Sequence, residues 1–143
     1  MQRSIPKEIL EAVRAIPLFS TCNNGELRDI ARLGTRASVP AGRTITIEGK
    51  PGRELLVILD GRATCRVKGR KLAHFGPGEF FGEMSMLDKG PRSATVTAES
   101  EMDLLVLDGQ EFRSLIEASP GVAWKMLASM AGRLRNADRS LTY

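Results

Sequence analysis

The sequence predicts a mainly β domain with flanking helices, an eight-stranded β-roll or jelly roll, and three observations carry that expectation. Between Thr35 and Asp108 apolar residues recur with a period of two, the repeat of strands that bury one face. Gly or Pro punctuates the same stretch at short intervals, at Pro40 to Gly42, Gly49 to Gly52, Asp60-Gly61, Gly69 and Gly76 to Gly78, as expected for short strands joined by turns. On either side the period lengthens to three and four, so helices bracket the strands. Many short strands with turn signals point to a jelly roll or a related barrel.

The N-terminal helical segment spans 4–34. Ser4 and Pro6 open a helix whose apolar residues Ile5, Ile9, Val13 and Ile16 share a face until Pro17 ends it. A second helix starts at Asn23, with Glu26 completing a capping box, Leu27, Ile30 and Ala31 on one face and Gly34 as the stop. In the roll, 35–108, Thr44 to Ile47 alternates and Leu55 to Leu59 is a buried run. Asp60-Gly61 is the dipeptide expected to close a tight hairpin onto Ala63 to Val67. Ser93 to Ala98 and Met102 to Leu107 complete the strands.

The closing helices occupy 109–138. Asp108 and Glu111 form a capping box for a helix to Ala118. Ser119 then caps the last one, whose first turn holds Pro120, where a missing N–H does no harm. In that helix Ala123, Leu127, Met130, Leu134, Ala137 and Leu141 step by four and three, a heptad-like seam suited to the chain's own barrel or to a second copy.

With 143 residues, 42% of them hydrophobic, the chain fills one core, so a single domain, 1–143, is expected. No apolar run is long enough to cross a bilayer and the N-terminus reads as an amphipathic helix rather than a signal peptide. No membrane segment and a cytoplasmic location are therefore expected. Cys22 and Cys65 have no CxxC spacing and read as buried free thiols. One histidine, His74, is too few for a barrel metal centre, and no metal is expected. Without GxSxG, HExxH or paired acid/base spacing, an enzyme of the cupin-like barrel class is disfavoured. The net charge of +4 and the cluster Arg133, Arg135 and Arg139 invite nucleic acid. No aromatic interleaving and no helix-turn-helix follow, so a solvated helix face and no DNA-binding domain are the expectation.

One segment breaks the strand grammar: Gly78 to Leu87, followed by Asp88 to Val96. It reads as a short helix inserted between two strands, with Gly82 permitting a close turn and the N–H groups from Gly82 to Met84 left unpartnered at its start. Arg92 returns nine positions after Glu83, with the Ser93 hydroxyl beside it. Free N–H groups, a guanidinium and a hydroxyl together describe a phosphate cradle. A carboxylate there repels phosphate unless it meets another part of the ligand. Glu83, an acceptor only, suits a sugar hydroxyl, with Arg92 offsetting its charge. The plainer alternative is an ion pair between Glu83 and Arg92 across a turn.

Phe81-Gly82-Glu83-Met84-Ser85, then Pro91-Arg92-Ser93-Ala94-Thr95-Val96, resemble the phosphate-binding cassette of the cyclic nucleotide-binding domain family, and the resemblance extends over nearly the whole chain. It implies that Glu83 holds the ribose 2′-OH, that Arg92 holds the exocyclic oxygens of the cyclic phosphate, and that Ser93 holds the same phosphate. Gly82 and Met84 supply backbone contacts, and Phe81, Ser85 and Ala94 complete the ligand-binding set. The nine-residue gap is similar to that of the family's channel and kinase modules, whereas the catabolite activator type has a longer gap and a helix-turn-helix. Where that type places hydroxyl residues against adenine, this chain has Ala137 and Asp138, leaving Arg133, Leu134 and Arg135 as candidates for the base. Ser93 in place of Thr removes a feature associated with cGMP preference. The resemblance thus implies a sensor of cAMP, with cGMP possible, in which binding repositions the C-terminal helix. Partners are the cyclic nucleotide and a homodimer through that helix or an effector. The rival reading is a ligand-free structural or dimerisation module of the same fold.

Overall fold

Capping boxes set the starts of two of the helices. The computed structural model describes residues 6–139 and places α1 at Lys7–Arg14 behind Pro6, a 3-10 turn at Pro17–Phe19, and α2 at Asn24–Leu33. At α2 the capping box closes both ways: Asn23 Oδ1 accepts from the Glu26 N–H at 2.8 Å and Glu26 Oε1 from the Asn23 N–H at 2.9 Å. Asp108 and Glu111 repeat it at 2.7 and 2.9 Å at the head of α4, Gly109–Ala118. The long closing helix α5, Pro120–Arg139, follows directly. Ser119 precedes it as expected, but its hydroxyl donates to Glu26, tying α2 to the α4–α5 junction. Gly34 does end α2, though in extended backbone, so packing rather than backbone freedom calls for glycine. A Cβ there would lie 2.6 Å from Leu105 Cδ1. Ser4, Ile5 and Leu141 lie outside the described residues.

Among the described residues eight strands follow the alternation in the sequence: β1 Thr35–Val39, β2 Thr44–Thr46, β3 Leu55–Asp60, β4 Ala63–Val67, β5 Arg70–Phe75, β6 Phe80–Phe81, β7 Thr95–Ala98 and β8 Met102–Leu107. They form two antiparallel four-stranded sheets, ordered β1-β8-β3-β6 and β2-β7-β4-β5. The short α3, Glu83–Asp88, is inserted between β6 and β7. Leu56 and Ile58 of β3 pack between the sheets with Val96, Ala98 and Leu104. Leu55 and Val57 point the other way, into a cluster with Phe19, Ile30, Phe112 and Met126 from the helices. Both faces of β3 are covered, which is why its sequence is a continuous apolar run.

The expected hairpin at Asp60-Gly61 does not form. β3 pairs with β8 and β6, while β4 pairs with β5 and β7, so the dipeptide carries the chain from one sheet to the other. Gly61 has φ 94°, and a Cβ on it would come 2.4 Å from the Glu101 carbonyl oxygen. A tight passage beneath the β7–β8 connection therefore demands glycine. The hairpin lies one strand later, where Lys68 and Gly69 take φ 52° and 77°, the pair of positive values that a type I′ turn requires. In that hairpin Cys65 faces Ala73 but Arg66 faces Lys71, so Leu72 is an extra residue that bulges from β5.

The expected seam of α5 divides. Val122 and Met126 are its buried face and Met130 packs against the core, whereas Leu127 and Leu134 are 60% and 65% exposed beside Trp124 at 72%.

Candidate functional site

Four of the six buried polar or charged side chains among the described residues, Thr46, Glu83, Ser85 and Arg92, converge on one hollow of about 250 Å³. A wider depression of about 880 Å³ lies between α3 and α4, but none of the six lines it, so buried polarity rather than size selects the site. The hollow sits between the β2-β7-β4-β5 sheet, α3 and the far half of α5.

Backbone bonds fix the Arg92 segment beside the hollow. The Arg92 N–H donates to the Lys50 carbonyl at 2.9 Å, and the Gly49 N–H donates to the Arg92 carbonyl at 2.8 Å, pinning the segment after α3 to the β2–β3 loop. Thr46 Oγ1 donates to the Ala94 carbonyl at 3.1 Å, holding the next residues in place. Gly82 opens α3 with φ 84°, and a Cβ there would stand 2.6 Å from the Glu54 carbonyl and 2.7 Å from Arg92 Nη1. Backbone conformation and crowding thus both exclude a side chain at 82.

Arg92 is 8% exposed. Its Nη1 donates to the Ser85 hydroxyl at 2.8 Å, the Glu54 carbonyl at 2.9 Å and the Gly82 carbonyl at 3.2 Å. All three acceptors are neutral, and among the described residues no carboxylate lies within 4.0 Å of the guanidinium. Burial lowers its pKa, opposed by the charges of Glu54 and Glu83. A cation removed from water without a contacting anion is costly, and it favours an anion at that place. Nη2 and Nε donate to nothing among the described residues.

Glu83 has a different partner from the one that the sequence suggests. Its carboxylate accepts from Arg133 Nη1 of α5 at 2.7 Å. The same guanidinium donates to the Phe80 carbonyl and lies over the Phe80 ring, 4.7 Å from its centroid, and 5.4 Å from that of Phe75. The charge of Glu83 is therefore met by Arg133, and the ion pair with Arg92 does not form.

Phe81, Gly82, Glu83, Met84, Ser85, Arg92, Ser93, Ala94 and Arg133 all line the hollow. Leu134 and Arg135 are exposed on α5 and do not. The Ser85 hydroxyl is turned inward to Arg92, while Ser93 is exposed at the rim. Sequence reasoning missed the lining residues Thr46, Cys65, Val67, Leu72 and Phe75. Alternation along β4 puts Cys65 and Val67 on one face and was the available signal; the bulge that swings Leu72 to the hollow has none. Cys22 and Cys65 are free thiols, but only Cys65 is buried as expected and Cys22, beside Ser119, is half-buried; desolvation pushes both up in pKa.

A family model described as the cyclic nucleotide-binding domain matches residues 36–119. A cyclic AMP receptor protein of Thermus thermophilus is 40% identical over 134 residues, 90% of this chain and 62% of that protein. A cyclic nucleotide-gated potassium channel of Rhizobium etli is 37% identical over 79% of this chain and 32% of its own length. The chain thus spans less than two thirds of either relative. Among solved structures, the Thermus thermophilus catabolite activator protein superposes with a TM-score of 0.81 at 37% identity, covering 87% of this chain and 61% of that one. A cyclic nucleotide-binding domain from Methylobacillus flagellatus gives 0.73 at 33%, covering 94% and 78%. By the residues that the family model matches, by sequence identity and by fold, this chain belongs to the cyclic nucleotide-binding domain family.

Proposed function

We propose that this domain is a cAMP sensor whose ligand seats its phosphate on Arg92 and its ribose on Glu83. The observation that carries the reading is the buried Arg92 guanidinium, held by three neutral acceptors and contacted by no carboxylate among the described residues. An anionic phosphodiester supplies the missing charge. The buried Glu83 carboxylate, an acceptor only, suits the ribose 2′-OH. Gly82 and Met84 offer backbone contacts, Ser93 adds a rim hydroxyl, and Phe81, Ser85 and Ala94 shape the seat. Cys65, Val67, Leu72 and Phe75 furnish an apolar wall for the base. The similarity to a protein named a cyclic AMP receptor supports the choice of cAMP. The role is binding and regulation rather than catalysis.

The Arg133–Glu83 pair supports movement of the last helix on binding. A ligand hydroxyl that takes the Glu83 carboxylate competes with Arg133, so the ligand contacts the two positions of α5 unequally, as a shift between states requires. On the outer side of α5, exposed Trp124, Leu127 and Leu134 fit a second copy of the chain. The deciding experiment is a side-by-side calorimetric titration with cAMP and cGMP. Saturable one-to-one binding, tighter for cAMP, is expected; heat from neither nucleotide refutes the reading and promotes a purely structural or dimerisation module.

A further inference from the structure

We infer that Gly52, a loop residue outside the cassette, is a positioning residue that aims the Arg92 guanidinium, acting with the buried Ser85 hydroxyl. The inference rests on the assignment of Arg92 as the phosphate ligand. Gly52 lies in the β2–β3 connection, forty positions before Arg92. A Cβ built on it would stand 2.2 Å from Arg92 Nε, 2.7 Å from Cζ and 2.8 Å from Nη2. Its φ is outside the left-handed region, in contrast to Gly49 in the same loop at 83°, so backbone freedom is not what fixes glycine at 52. The missing side chain is the feature in use.

The guanidinium is confined from two sides. Nη1 is tied to the Ser85 hydroxyl and to the Glu54 and Gly82 carbonyls, and Gly52 fills the space against Nε and Nη2 with backbone alone. Ser85 is 2% exposed, so its hydroxyl serves the interior as an acceptor for Arg92. The three atoms nearest to a methyl group at 52 all belong to the far end of a long side chain rather than to backbone. The fold therefore accommodates alanine by displacing the guanidinium, and displacement breaks the Nη1 bonds that orient the head. Planar fork geometry makes Arg sensitive to such a displacement.

Calorimetry with cAMP on Gly52→Ala, Arg92→Ala and the double variant tests this. Gly52→Ala is expected to bind at least about tenfold more weakly while still unfolding in one cooperative transition, because a small misplacement of a charged ligand group is felt strongly. In the Arg92→Ala background the same change is expected to cost nothing, since no head remains to be displaced. An equal loss in both backgrounds, or no loss in either, overturns the inference. The ligand-free protein gives a second measurement, the Arg92 Nε–H signal in a nitrogen-edited NMR spectrum. It is expected to move in Gly52→Ala and in Ser85→Ala; an unmoved signal in Gly52→Ala overturns the inference. If the wild type binds no nucleotide, the ligand assignment falls while this signal still decides whether Gly52 aims Arg92.

Discussion

Arg92 shows how much of the site rests on single atoms. Replacing it with alanine removes the buried cation proposed to meet the phosphate, and cAMP affinity is expected to fall by about two decades, ~3 kcal/mol. Calorimetry finding equal affinity in wild type and Arg92→Ala would contradict the assignment. Arg133→Ala tests the competing contact: Glu83 loses its partner in the free protein, so the ligand no longer displaces a bond to reach it. Tighter binding is expected if the pair only opposes the ligand, by a few-fold at most, because one charged contact and its desolvation nearly cancel. Glu83 and Arg92 were legible in the sequence because their segment breaks the strand grammar with an inserted helix and its residues resemble the family's phosphate-binding cassette; on the residues alone an ordinary ion pair was the plainer reading. Gly52 was not, because its duty is to leave room for a residue far along the chain, and in the sequence it looks like any turn glycine. Arg133 was legible as a candidate for the base, but its carboxylate partner depends on how α5 lies over the roll.

At the level of elements, the helix starts and most strands could be read directly, because capping boxes and period-two alternation are local. Asn23→Ala is expected to cost about 1 kcal/mol in denaturant unfolding, the usual worth of such a cap. The β3–β4 connection was misread for an equally physical reason. Asp60-Gly61 has the composition of a hairpin turn, but pairing partners are chosen by the sheet, and β3 is already flanked by β8 and β6. The Lys68-Gly69 turn, with less typical composition, makes the hairpin. Gly61→Ala therefore tests crowding as well as strain: a side chain with φ 94° against a backbone carbonyl is expected to destabilise by more than about 2 kcal/mol. Gly69→Ala, whose Cβ meets nothing within 4 Å, is expected to cost clearly less. Equal midpoint shifts for the two variants would remove crowding from the explanation.

Across the whole molecule, two carboxylates link distant parts of the fold and set its acid response. The Asn23 N–H and then the Ser119 hydroxyl hold Glu26 below the usual carboxylate range. The Thr64 hydroxyl and then His74 do the same for Glu99. A carboxylate with a lower pKa folded than unfolded contributes stability above its unfolded pKa and loses it as pH falls through the folded one. The melting temperature is therefore expected to drop below about pH 4, and Thr64→Val, which takes the first hydrogen bond from Glu99, is expected to flatten that limb. An unchanged limb in Thr64→Val would remove Glu99 from the cause. The second copy proposed for the exposed stripe of α5 is tested at the same scale: light scattering is then expected to show a dimer that Leu127→Glu converts to a monomer, and a monomeric wild type would leave the stripe to an effector.

The neutrality of the acceptors around Arg92 also governs how the protein meets ordinary buffers. Three uncharged oxygens fix the guanidinium without cancelling its charge, so the Arg92 head itself attracts a small oxyanion. With Arg92 as the proposed phosphate ligand, inorganic phosphate is expected to compete for the same spot, and an apparent dissociation constant measured in phosphate buffer is expected to rise with phosphate concentration. The same titration in a zwitterionic buffer gives the tighter value.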